Sequence, residues 1–411
     1  MAAGEVARAG EERIRWAGAQ MEVLGRVAAR LAEERALAGV RIGACLHLTA
    51  ETANLARALV GGGAEVMLCA ANPLSTQDDV VRALNAGGGV RASGRRGESA
   101  RARLRALRAV LASDPQLILD DGAELIAGAA RARGRQRSLL AAAEETSAGL
   151  ITARALHGEG RLPCPVYAVN ESRAERTFND RFGTGQSTLD GILRATNLLL
   201  AGRTVVVIGY GPTGRGVALR ARGAGAVVIV CEVDPMRALE ARMEGYEVLP
   251  ALVAAERGDV FITVTGSRNV LRAEHFARMH DGAVLANAGH FDVEISLSDL
   301  GAAARERESV RPLVERYTLA DGRRLNLLAE GRVVNLAAGE GHPAAVMDIS
   351  FALQALCVER AARASEPLAI GIHPVPEEID RAVAALKLAA LGVEIDAESD
   401  EQQRYRTLWE R

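Results

Sequence analysis

The chain has 411 residues, long enough for two or three domains with cores of their own. Its 50 basic and 52 acidic residues leave a formal net charge of -2, which excludes a strong electrostatic pull toward nucleic acid or a membrane surface. Lysine occurs once, as Lys387, so arginine, which stays protonated, supplies nearly every cation.

The opening MAAGEVARAGEERIRWAG reads as a charged helix and not as a signal peptide, and no apolar run reaches membrane-spanning length. A helix is expected over about residues 11–38, where apolar positions recur in threes and fours. VRIGACLHLT follows as a buried strand ending at His47 and Thr49, and ETANLARALVGGGAEVMLCAANP reads helix, glycine turn, strand. LILDDGAEL is another apolar strand, running into Asp120 and Asp121. Strand alternating with helix predicts a parallel sheet with helices on both faces, whose ligands gather beyond the carboxyl ends of the strands. His47, Thr49, Asn72, Asp120 and Asp121 all stand there. The five cysteines (Cys45, Cys69, Cys164, Cys231, Cys357) lack CxxC or metal spacing, so buried thiols and no metal site are expected in a soluble, cytoplasmic protein.

After a short strand at 166–169 comes VNESRAERTFNDRFGTGQST, rich in arginines and acids, which reads as a loop leading into a helix. A second unit opens at TVVVIGYGPTGRG. A short apolar strand runs into Gly209, Tyr210, Gly211, Pro212, Thr213 and Gly214, then a helix, and the next strand, AVVIVCE, ends at Glu232. This is the full dinucleotide fingerprint: a tight turn, a close approach to the pyrophosphate, and a helix N-terminus facing the phosphates. Glu232 favours NAD over NADP, a preference that Arg237 weakens slightly. Strands over 260–266 and 283–294 continue the sheet, and from Gly341 a long helix crosses back toward the first unit. The fold class expected is α/β, with two doubly wound parallel-sheet domains. A substrate-binding domain is expected over 1–186, a Rossmann NAD domain over 187–340, and a return helix with a C-terminal tail over 341–411.

The segments HLTAET, NPLSTQD, LDDGAEL, EETSAG, VNES, STLDGILRAT, GYGPTGRG, EVDP, MEGYEV, GHFDVE, LLAEGRVVNL and GHPAAVM occur in this order. Through them the chain from about Val40 to Tyr405 resembles the S-adenosylhomocysteine hydrolase family. The resemblance implies tightly held NAD, an adenine nucleoside as substrate, and a homo-oligomer, tetramer or dimer. It also implies a reaction in which the 3′-hydroxyl is oxidised, C4′ is deprotonated, the 5′ substituent leaves, water adds and the ketone is reduced again. His47, Asp121 and His290 match positions that move protons around C4′ and C5′, and Glu145 matches the carboxylate that orients the ribose hydroxyls. Thr49, Glu51, His342 and Met347 match the adenine pocket. Thr146, Ser147, Thr263, Thr265, Asn287 and Asn335 match NAD contacts, beside the fingerprint glycines and Glu232. His157, His275, His280 and His373 lack such context and read as structural or exposed, and Asp120 equally as a cap or a surface acid.

Five features depart from the family pattern. Glu175 stands at a lysine position, Asn179 and Asp180 exchange an Asp-Asn pair, and Thr184 replaces a cysteine. Glu340 replaces a methionine near the adenine pocket, where a buried carboxylate needs a substrate donor or a cation. The chain also ends in QQRYRTLWER, without the family's Lys and Tyr segment. For Glu175 and Asp180 two readings stand: Asp180 in particular accepts the hydroxyl proton, or Glu175 pairs with Arg173 or Arg176 on an exposed turn. These departures lead to the expectation of a divergent enzyme that stops at elimination, a nucleoside dehydratase giving a 4′,5′-ene of the kind found in nucleoside antibiotics. Genuine S-adenosylhomocysteine hydrolysis is the alternative, and a non-catalytic NAD-binding regulator a further one.

Overall fold

The structure, a computed structural model, describes residues 3–132 and 138–407; the first two residues and the last four of QQRYRTLWER lie outside them. Short strands apolar on both faces suit a parallel sheet covered by helices, and the described residues build two sheets. The first has seven parallel strands in the order Ile372–Pro374, Val166–Ala168, Ala141–Glu144, Leu117–Asp120, Arg41–Leu46, Glu65–Ala70, Val90–Ser93. The chain winds outward in opposite directions from Arg41–Leu46 and Leu117–Asp120, which opens a crevice between their carboxyl ends. His47 and Asp121 are the first residues beyond those two ends.

The second sheet has eight strands in the order Ala304–Arg311, Val314–Leu319, Arg324–Leu328, Val284–Asn287, Val260–Thr263, Thr204–Ile208, Val227–Cys231, Glu247–Val248. Its winding reverses between Thr204–Ile208 and Val260–Thr263, so the fingerprint glycines sit at that crevice. The α/β class stands, with one correction: this sheet is mixed, because Val314–Leu319 pairs antiparallel with both Ala304–Arg311 and Arg324–Leu328. The outermost strand, ARERESVR, is largely exposed and charged, which protects an edge from pairing but hides it from a search for apolar runs.

Three local expectations also change. The helix expected over 11–38 is two, Ala3–Gly18 and Glu22–Glu34. The second starts where the buried Asp348 accepts hydrogen bonds from the Val23 and Leu24 amides (3.2 and 2.8 Å), a cap supplied from far along the chain. The strand expected over 283–294 stops at Asn287. The stretch read as a loop is a π-helix, Glu175–Thr184. Its wider turn brings residues four and five apart onto one face, so Glu175, Asn179, Asp180 and Thr184 all line the same cavity.

The return helix, Ala344–Arg363, is buried on nearly every side and packs against Glu22–Glu34. Beyond it the chain adds Ile372–Pro374 to the first sheet, parallel to Val166–Ala168, and then the helix Glu377–Ala390. The single lysine, Lys387, lies on that last helix and reaches Asp348 at 2.8 Å. It is thus bound into the body of the fold.

Candidate active site

The two crevices face one cavity of about 1340 Å³, walled by residues of both sheets. On the first-sheet side the strand Leu117–Asp120 ends in a turn held by Glu144, which accepts the Gly122 and Ala123 amides (2.9 Å each). Asp120 is fully buried and accepts the Ile126 amide at 2.9 Å, so the cap reading holds for it. The turn aims Asp121 inward, between two histidines: His47 Nε2 lies 3.2 Å from one carboxylate oxygen and His290 Nδ1 3.5 Å from the other. Gly122, at φ +98°, has to be glycine here, since a Cβ would stand 2.8 Å from His290 Nε2.

His47 Nδ1 lies 2.6 Å from Ser75 Oγ, and that hydroxyl gives its own proton to the Asn72 carbonyl. Nδ1 is therefore the donor, and a proton is shared on the line between Nε2 and Asp121. Burial lowers the His47 pKa, against the pull of Asp121. His342 is pushed down to about 4, first by burial and then by the charge of His47. Its Nε2 accepts from Thr184 Oγ1 (2.9 Å) and Asn335 Nδ2 (3.3 Å), which fits a neutral ring protonated on Nδ1.

The π-helix brings acids to a third wall. Glu175 is 1% exposed and does not pair with Arg173 or Arg176 on a surface turn, so that reading is corrected. Its Oε1 and that of Glu145 both lie against Ser350 Oγ, at 3.1 and 3.0 Å. Burial raises Glu145 to about 8, with the charge of Asp121 adding to it. Burial likewise brings Asp180 to about 7, against the lowering effects of Arg176 and Asn170. Asn179 Nδ2 contacts Met347 Sδ at 3.8 Å. Glu51 follows Thr49, which caps the helix Ala50–Gly61, and burial raises its pKa. Glu340 is not buried: its side chain is 57% exposed and meets Arg13 at 3.1 Å and Arg194 at 3.8 Å, the cation partner that a carboxylate there needs.

These shifts set the pH response of stability. Glu145 and Asp180 have folded pKa values above the ordinary carboxyl range, so their contribution is complete at low pH and is lost as pH rises through about 8 and about 7. His342 has the opposite sense: its contribution is complete above 6.5 and is lost as pH falls toward about 4. Between pH 6.5 and 8 only the carboxyl loss operates among these three. The thermal midpoint of the ligand-free protein should fall across that window, and a flat or rising midpoint in differential scanning would contradict the burial of the acids.

On the second-sheet side, Gly209 (φ +105°) makes the tight turn, and a Cβ on Gly214 would collide with the Gly209 carbonyl. Gly211 and Thr213 open the helix Pro212–Gly223, whose free amides face the cavity. Glu232 accepts the Tyr210 amide at 2.7 Å and the Val233 amide at 2.6 Å, which ties the end of its strand to the glycine turn. Arg237, Thr146, Ser147, Thr265 and Asn335 also line the cavity. Thr263 and Asn287 do not: both are fully buried behind the wall, where Thr263 donates to Asn287 and Asn287 to three backbone carbonyls. Sequence reasoning missed Ser75, Ser350 and Glu294. Ser75 lies within NPLSTQD, and buried Glu294 accepts from the hydroxyl and amide of Thr265. Ser350 carries no local signal, because a serine inside an apolar helix is ordinary.

Comparison with known proteins agrees with this layout. Residues 180–341 match the model of the S-adenosyl-L-homocysteine hydrolase NAD binding domain, and residues 2–141 that of S-adenosyl-L-homocysteine hydrolase. An adenosylhomocysteinase of Gloeobacter violaceus is 50% identical over 99% of this chain and 95% of its own length. That of Aquifex aeolicus is 51% identical over 98% and 97%. The chain belongs to the S-adenosyl-L-homocysteine hydrolase family. A further relative, the S-inosyl-L-homocysteine hydrolase of Methanopyrus kandleri, is 49% identical over 98% of this chain and 95% of its own. The protein is accordingly an NAD-dependent enzyme of the adenosylhomocysteinase type. The fingerprint turn, the clear helix N-terminus and Glu232 are a cradle that fits this cofactor. The 4′,5′-ene dehydratase expected from the departures gains no support from these relatives, which favour the hydrolase alternative. Two of the departures are mild in the structure: Thr184 Oγ1 lies 2.9 Å from His342 Nε2, and Glu340 points to arginines on the rim.

Proposed function

We propose that the protein hydrolyses S-adenosyl-L-homocysteine to adenosine and homocysteine, with the residues around the first sheet (1–186) holding the nucleoside. The observation that carries this reading is the His47–Asp121–His290 cluster, which faces the dinucleotide turn across a single cavity. NAD supplies the reversible oxidation of the 3′-hydroxyl that makes the C4′ proton acidic. Asp121 and the histidine nitrogens against it then have the task of removing that proton and of protonating and deprotonating groups at C5′. Glu145, Glu175 and Asp180 face the sugar hydroxyls, where an acid of raised pKa can take a proton and return it. His342, kept neutral, and Met347 with Thr49 and Glu51 line the base pocket.

The relative that acts on an inosyl thioether raises the question of the base. Glu51 can accept from the exocyclic amine of adenine, whereas hypoxanthine presents a carbonyl there. Incubation of the NAD-loaded protein with each thioether, with homocysteine read as free thiol and products weighed by mass, tests both points. The adenosyl thioether should be cleaved at least about tenfold faster, and Glu51→Gln should narrow that ratio. Loss of water from a nucleoside without thiol release would instead establish the dehydratase. Equal rates on the two thioethers would remove Glu51 from base recognition.

A further inference from the structure

Ser350 stands on the return helix, fully buried, with its hydroxyl oxygen 3.0 Å from Glu145 Oε1 and 3.1 Å from Glu175 Oε1. A hydroxyl owns one proton. It can donate that proton to one carboxyl group only, so the second contact needs a proton from the acid itself. In this geometry at least one of the two acids is therefore neutral.

The surroundings agree with this count. Burial raises Glu175 well above its ordinary range, and the charges of Glu145 and Asp180 push it further. Asp121 does the same to Glu145. Arg176 makes its ion pair with Glu171 at 3.5 Å and acts on Asp180 only through its field. Glu175 Oε2 is buried on the cavity wall with no hydrogen-bond partner. The one lysine of the chain is engaged elsewhere, with Asp348.

We propose that Glu145, Ser350 and Glu175 form a single proton-sharing unit, in which two carboxyl groups hold one proton between them through the serine hydroxyl. Ser350 is the positioning residue and the two acids face the substrate. The inference rests on the proposed hydrolase in one respect, that the exchanged proton belongs to a sugar hydroxyl. With one proton in the unit, one carboxylate oxygen remains as a base. As the 3′-alcohol becomes a ketone, the hydrogen on C3′ leaves as hydride for the cofactor. The O–H bond breaks, its electron pair forms the second C–O bond, and the proton passes to that carboxylate. On reduction the proton returns by the same route. A shared-proton pair thus does work for which this site has no amine.

The test begins with a readout independent of turnover. The infrared difference spectrum of wild type minus Glu175→Gln at pH 7 should contain a protonated-carboxyl band, and Ser350→Ala should displace it. Ser350→Ala should also lower kcat about 100-fold with little change in KM. Because only the half-protonated unit uses the serine hydroxyl as both donor and acceptor, its loss should move the alkaline ionisation limb of the pH–rate profile to lower pH, and Ser350→Thr should restore it. Thermal melts confirm that each variant is folded. If wild type lacks the band, or if Ser350→Ala leaves the band and the limb where they were, the unit does not exist. Absence of homocysteine release from wild type would overturn the hydrolase reading alone, since the infrared result stands without it.

Discussion

Replacement of Asp121 by asparagine should abolish turnover, lowering kcat by about 1,000-fold or more, while the variant still folds and binds NAD. The side chain sits between His47 and His290 at 3.2 and 3.5 Å, and an amide of the same shape keeps the packing but cannot carry a proton. The turn beneath it is held by Glu144 through backbone amides, so the change leaves the scaffold intact. Two measurements check this: homocysteine release, and exchange of deuterium from C4′ of the nucleoside into water. Exchange at the wild-type rate in Asp121→Asn would remove Asp121 from C4′ chemistry, whatever happened to cleavage. Cofactor reduction by a bound nucleoside should survive, because oxidation at C3′ is assigned to the other wall of acids.

The second large effect concerns stability. Lys387→Met should destabilise the first-sheet body by about 3–5 kcal/mol, since it removes the cation from a buried carboxylate. Asp348 is fully buried, and Lys387 is its only charged partner among the described residues, at 2.8 Å. The same carboxylate caps the helix Glu22–Glu34, so three helices meet on one charge. The double variant Lys387→Met with Asp348→Asn should recover part of the loss, because no buried charge is then left unpaired. Urea unfolding followed by far-ultraviolet dichroism measures both. A loss below about 1 kcal/mol for Lys387→Met would show that the two amide donors alone satisfy Asp348.

Much of this molecule is legible along the chain. The glycine turn after Thr204–Ile208, the helix behind it and Glu232 at the end of the next strand are neighbours in sequence, and each is demanded by local geometry. His47 and Asp121 were likewise placed by the rule that ligands gather past strand ends, and the two sheets bring them to one crevice. Other elements resisted for stated reasons. The charged edge strand Ala304–Arg311 has no apolar run to betray it. The π-helix has a period that a search for helical or strand repeats does not test, so its acids passed for a loop.

The sequence by itself determined the family, the cofactor cradle and the set of proton-moving residue types, because these depend on short segments whose order and spacing are written directly in the chain. The tertiary structure alone decided which acids share a proton. Ser350 stands 175 positions beyond Glu175, and only the return of a buried helix to the first sheet brings the two together. It also decided that Glu340 is a rim charge and Glu175 a buried one. Burial and hydrogen-bond partners arise from packing between distant segments, and they set whether a carboxyl group is a salt-bridge partner or a proton carrier.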